Sequence, residues 1–167
     1  MTQPTGATSQ TPTNSLATLA RLPGGLDVKA THRATGAVTA CHVPYPHAVL
    51  GRAPQAGVRL EDPSVSQCHA LLQLVDGVPY CIDLGSRTGV MWDDAGQGRG
   101  WIHPGQTVRV GLFDVQVTGN PAGDPPAPEA ADAPPAVLDV YSPAGPSGRL
   151  TLDQPVTLVG RHPNCNL

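Results

Sequence analysis

The chain has 167 residues, enough for one domain and extensions. Charged residues make up 14% of it and the formal net charge is −3, which argues against nonspecific binding to nucleic acid or anionic membranes, so any anion site must be local. The 19 glycines and 19 prolines favour turns over helices, and 4% aromatic content leaves Val, Leu and Ile to build the core.

Residues 1–24 open the chain as a Thr-, Ser- and Pro-rich tail, expected to be disordered. Residues 1–15 have no basic start and no apolar stretch, so they do not read as a signal peptide. No run nears the roughly 18 apolar residues of a membrane span. The expectation is a cytoplasmic protein with neither nucleic acid nor membrane as partner.

From Leu26 the rhythm is that of β-structure. Leu26-Asp27-Val28-Lys29-Ala30 alternates apolar and polar, and Val38 to Val43 follows a Thr35-Gly36 turn. Ala48-Val49-Leu50 runs into Gly51-Arg52 and a Pro/Gly loop. Ala70 to Val75 and Val78 to Asp83 flank Asp76-Gly77, the strongest short hairpin signal in the chain. Val90-Met91-Trp92 begins another strand, a glycine-rich tip spans 96–100, and Thr107 to Val110 and Phe113 to Val117 alternate strictly. About ten short strands with regular turn signals predict an all-β sandwich over residues 25–118.

Residues 119–136 read as a Pro/Ala linker, extended and semi-rigid. Beyond it the chain repeats itself. Leu138-Asp139-Val140 echoes Leu26-Asp27-Val28, and Thr157-Leu158-Val159-Gly160-Arg161 echoes Ala48 to Arg52. Residues 137–167 therefore read as the start of a second, incomplete copy of the domain, too short to bury a core alone.

Chemistry concentrates at three breaks between strands: Gly51-Arg52, Ser66-Gln67-Cys68-His69 and Asp83-Leu84-Gly85-Ser86-Arg87-Thr88-Gly89. Arginine forks, hydroxyls and tight turns suit a phosphate held by hydrogen bonds. Read singly, Arg52 is equally a structural arginine, Ser66 a turn residue after Asp62-Pro63, and Arg87 a solvated side chain. No G-x-S-x-G elbow accompanies Ser66 and His69, and Cys68 and His69 are adjacent on a strand start, where side chains diverge, so no catalytic residue is expected. The same divergence argues against a metal at Cys41-His42 or Cys68-His69, and no cofactor is implied. Cys41, Cys68, Cys81 and Cys165 each lie in or beside an apolar run and read as buried, reduced thiols.

Gly-Arg, then Ser-x-x-His, then Asp-Leu-Gly-Ser-x-x-Gly, in this order, resembles the forkhead-associated (FHA) family. Trp101 to Gly111 is similar to that family's closing hairpin. The resemblance implies a β-sandwich of about eleven short, mostly antiparallel strands that binds phosphothreonine peptides through loops at one end. On it, Arg52 is the main phosphate ligand, Ser66 hydrogen-bonds a phosphate oxygen, and Gln67 takes the adjacent loop position. Arg87 and Thr88 take the phosphate and peptide-backbone positions of the last loop, while Gly51, His69, Ser86 and Gly89 support the site. Thr88 stands where the family usually has asparagine, and Gln67 where it often has Arg or Lys.

The function implied is a phosphothreonine-reading interaction module in Ser/Thr kinase-linked signalling, with a phosphothreonine protein or peptide, and a Ser/Thr kinase, as partners. The alternative is a phosphate-independent assembly module of the same fold. The tail threonines Thr2, Thr5, Thr8, Thr11 and Thr13 suggest binding in cis once phosphorylated.

Overall fold

The computed structural model describes residues 25–93, 95–117, 136–143, 145–160 and 165. The tail, most of the linker and Arg161 lie outside the described residues, and so do the expectations placed on them.

The first eleven strands are β1 (Leu26–His32), β2 (Val38–Val43), β3 (His47–Gly51), β4 (Val58–Arg59), β5 (Ala70–Val75), β6 (Val78–Asp83), β7 (Val90–Trp92), β8 (Ala95–Gly96), β9 (Arg99–Trp101), β10 (Thr107–Val110) and β11 (Phe113–Val117). They form two sheets, ordered β2-β1-β11-β10-β7-β8 and β4-β3-β5-β6-β9. The β3–β4 pair is parallel, and the other strand pairs of both sheets are antiparallel. No helix occurs among the described residues, and the fold is the expected all-β sandwich.

The period-2 pattern explains the packing. Leu26, Val28 and Ala30 of β1 are buried while Asp27 and Lys29 between them are exposed. Across the sandwich Leu50 and Leu72, and on the β1 side Val108, Val110 and Val115, are fully buried in one cluster. At about 25 cal/mol per Å² of apolar surface, each such side chain contributes roughly 1.5–3 kcal/mol. Strand β6 is buried along both faces. Its register with β5 sets Cys81 opposite core residue Leu72 and Tyr80 opposite the half-buried Gln73. On that other face Tyr80 packs edge-on against Trp101, with ring centroids 4.9 Å apart.

Asp76-Gly77 makes the hairpin that its chemistry demands, with φ of 52° and 84°, both positive as a type I′ turn requires. Three short strands escape the sequence pattern. Strand β4 has only two residues, too few to alternate visibly. The glycine-rich tip overlaps β8 and β9, which carry the chain from one sheet to the other. Of the four thiols expected to be buried only Cys81 is, in the core; Cys41 and Cys165 are half-buried, and Cys68 is exposed in a loop that the strand pattern does not cover.

Beyond the sandwich, β12 (Ala136–Ser142) and β13 (Gly145–Leu152) pair as a separate antiparallel hairpin. Leu138-Asp139-Val140 lies within it. Residues 157–160, the echo of β3, are in no strand. Strand β3 is held between β4 and β5, and among the described residues the echo has neither neighbour.

Candidate binding site at the loop end of the sandwich

Four connections meet at one end: β3–β4, β4–β5, β6–β7 and β10–β11. The short parallel pairing fixes the first two. Arg59 pairs with Gly51, and the Leu60 amide donates to the Gly51 carbonyl at 2.9 Å. Gly51 is a glycine for lack of space. A Cβ there would meet the Gln67 carbonyl oxygen at 2.1 Å. That close approach lets the Arg52 amide donate to the Ser66 carbonyl at 2.9 Å and the Ala53 amide to that of Gln67 at 3.1 Å. The Arg52 side chain emerges exposed, with Nε donating to the Val65 carbonyl at 3.3 Å. One edge of the guanidinium is thereby anchored, which preorganises its remaining donors.

His69 is the buckle between loops. It is fully buried. Its Nδ1 accepts the Ser66 amide at 3.1 Å and its Nε2 lies 3.0 Å from the Gly89 carbonyl. An acceptor at Nδ1 and a carbonyl at Nε2 place the single proton on Nε2. The histidine thus joins the β4–β5 and β6–β7 loops.

The β6–β7 loop closes on itself and on Ser66. The Asp83 carboxylate accepts the amides of Gly85 at 3.1 Å and of Ser86 at 3.2 Å. The Ser86 hydroxyl accepts the Gly89 amide at 2.9 Å. The Ser66 hydroxyl accepts the Arg87 amide at 3.0 Å, which leaves its own proton for an external acceptor. The side chains of Arg87 and Thr88 turn toward the β4–β5 loop. An Arg87 guanidinium nitrogen donates to the Pro63 carbonyl, and the Thr88 hydroxyl donates to the Ser64 carbonyl at 3.3 Å.

A surface hollow of about 330 Å³ opens beside this cluster. It is lined by Arg52, Pro54, Arg59, Glu61, Asp62-Pro63 and Gln67. The structure thus joins Arg52 and Gln67 in one hollow, and joins Ser66 to Arg87 by a direct hydrogen bond. Ser66, Arg87 and Thr88 are not part of the hollow's lining, and the last two are tied into the adjoining β4–β5 loop.

Several residues at this end were not singled out in the sequence. Arg59 carried no visible signal, since its strand is two residues long. Asp62 had one: Asp before Pro marks a turn. Its Oδ1 accepts the Ser64 amide at 2.7 Å, and Oδ2 lies 3.3 Å from Nε2 of His32, where β1 ends. The Ser64 side chain and amide, with His32 adding, hold the Asp62 carboxyl below its usual value. The Ser64 hydroxyl accepts the Leu112 amide at 3.0 Å and so fastens the β10–β11 turn to the same loop.

Residues 48–111 match the family model described as the FHA domain. A search of curated proteins finds no significant match. Among solved structures, the chain is similar to the FHA domain of the CT664 protein from Chlamydia trachomatis, at 24% identity over 57% of this chain and 97% of that one, with a TM-score of 0.49. It is similar to a domain studied for phosphothreonine-dependent FHA interactions, at 23% identity over 55% and 94%, with a TM-score of 0.46. It is also similar to Mycobacterium tuberculosis EmbR in complex with a low-affinity phosphopeptide, at 18% identity over 59% and 25%, with a TM-score of 0.47. The motif order and the two-sheet sandwich agree with the matched span: residues 48–111 are similar to the forkhead-associated domain.

Proposed function

We propose that this protein is a phosphothreonine-reading interaction module that serves Ser/Thr kinase-linked signalling. The observation that carries the reading is the exposed, anchored Arg52 beside Gln67 at a hollow, with the Ser66 hydroxyl proton left for an acceptor. A phosphothreonine brings about −1.5 to −2 charges and three acceptor oxygens, which such donors suit. In this reading Arg52 is the main phosphate ligand and Ser66 the hydroxyl donor. Gln67 lies beside them, and Arg87 and Thr88 shape the wall that faces the peptide. Gly51, His69, Ser86 and Gly89 hold the loops.

Titrating a degenerate phosphothreonine peptide pool tests this. Binding should require the phosphate, and Arg52→Ala should cost at least about 1.5–3 kcal/mol, the scale of a hydrogen bond to a charged group. If neither protein binds the pool, the reading is wrong.

One observation favours a second reading, a phosphate-independent assembly module. The Thr88 hydroxyl is engaged by the Ser64 carbonyl and so is already spent within the protein. Partner capture that survives both phosphatase treatment and Arg52→Ala would support it. The hairpin β12–β13 at Leu138 to Val140 supports reading residues 137–167 as the start of a second FHA-like repeat.

A further inference from the structure

The Arg52 hollow holds a second arginine. Arg59 stands opposite Gly51 in the β3–β4 register, so its backbone lies beside the residue that launches Arg52. Val58 and Leu60 on either side are each 1% exposed. Alternation along the chain therefore sends Arg59 outward, to the rim that Arg52 and Gln67 share.

Arg59 is loosely held there. Its Nη1 pairs with Glu61 Oε1 at 3.0 Å, with the two side chains 49% and 68% exposed. Such an exposed pair is weak and screened by salt. Asp62 on the same rim is committed, since its two oxygens face the Ser64 amide and His32. The Arg87 guanidinium is turned to the Pro63 carbonyl. A phosphate dianion seated on Arg52 therefore leaves one charge unmatched, and Arg59 is the exposed cation on its rim with only a weak bond to break.

We infer that Arg59 is the second phosphate-binding arginine of this site, exchanging Glu61 for the phosphate when ligand enters. The inference rests on the phosphate reading of the Arg52 hollow. It makes Glu61 a built-in competitor for Arg59 and gives strand β4, rather than the β6–β7 loop, the second cation.

Full-length wild type, Arg59→Ala, Arg59→Lys and Glu61→Gln should be titrated with the phosphothreonine peptide pool, each first matched to wild type in thermal melting. Arg59→Ala should weaken binding about tenfold, as the loss of a charge-assisted hydrogen bond does. Arg59→Lys should recover part of the loss, and Glu61→Gln should bind more tightly than wild type. Wild-type binding with Arg59→Ala within twofold of it overturns the inference and leaves the peptide reading intact. A second measurement covers the case in which wild type binds no peptide: inorganic phosphate is titrated while the arginine Nε–Hε signals are followed by NMR. Joint movement of Arg52 and Arg59 upholds the inference although the peptide reading fails. An Arg59 signal that stays still as Arg52 moves, or no movement of either, overturns it.

Discussion

Gly51 and Gly89 flank the site for different physical reasons. Gly51 lacks space, because a Cβ would lie 2.1 Å from the Gln67 carbonyl oxygen. Gly89 has open space, but its φ is +71°. Gly51→Ala must therefore push the β4–β5 loop away, at about 1–3 kcal/mol of overpacking, and carry the Ser66 and Gln67 positions with it. Gly89→Ala should cost roughly 1–2 kcal/mol of left-handed backbone strain and leave the hollow intact. Chemical denaturation and phosphopeptide titration of both variants check this: Gly51→Ala should lose both stability and binding, Gly89→Ala chiefly stability. Asp62 adds a pH dependence. Its carboxyl is held below the ordinary 3.8 by Ser64 first and His32 after it. A depressed carboxylate stabilises the fold above its ordinary pKa and loses that contribution as pH falls through the folded value. The stability gap between wild type and Asp62→Asn should be constant above about pH 5 and close below about pH 4, as read from denaturation curves at stepped pH.

At the scale of elements, the two-residue strand β4 does more than its length suggests. Its parallel bond to β3 sets Arg59 beside Arg52, and the burial of Val58 and Leu60 keeps it seated. Leu60→Ala should cost about 2–5 kcal/mol, the range for a buried leucine, measured by urea unfolding. A loss under 1 kcal/mol would show that β4 does not anchor this end. The connections were harder to read than the strands they join. The strands from Leu26 to Val117 show in period-2 alternation and in Asp76-Gly77, since both signals are local. β4, β8 and β9 are two or three residues long, which is too short for a period to emerge.

Across the whole molecule, the two sheets enclose one core, and Cys81 lies inside it. Burial, with Asp83 adding to it, pushes the Cys81 thiol up to about 12, so it is not a thiolate at neutral pH. Cys68, exposed in the β4–β5 loop, has no such shelter. Iodoacetamide should label Cys68 in the native protein and Cys81 only when the sandwich unfolds globally. Cys81 labelling under native conditions as fast as that of Cys68 would contradict the packing. Mass spectrometry of timed digests reads both.

By itself the amino-acid order determined the strand pattern, the all-β class and the three phosphate-suited breaks, because alternation, turn chemistry and motif order are properties of neighbours along the chain. It also placed Arg52, Ser66 and His69 on connections. Only the tertiary structure decided what those connections do together. The nearness of Arg59 to Arg52 depends on a parallel pairing between separate segments. The Asp62–His32 contact spans the two sheets, and Ser66 meets Arg87 across two loops. Such contacts arise when distant strands pack, and the strand pattern carries no trace of which side chains will then share a hollow.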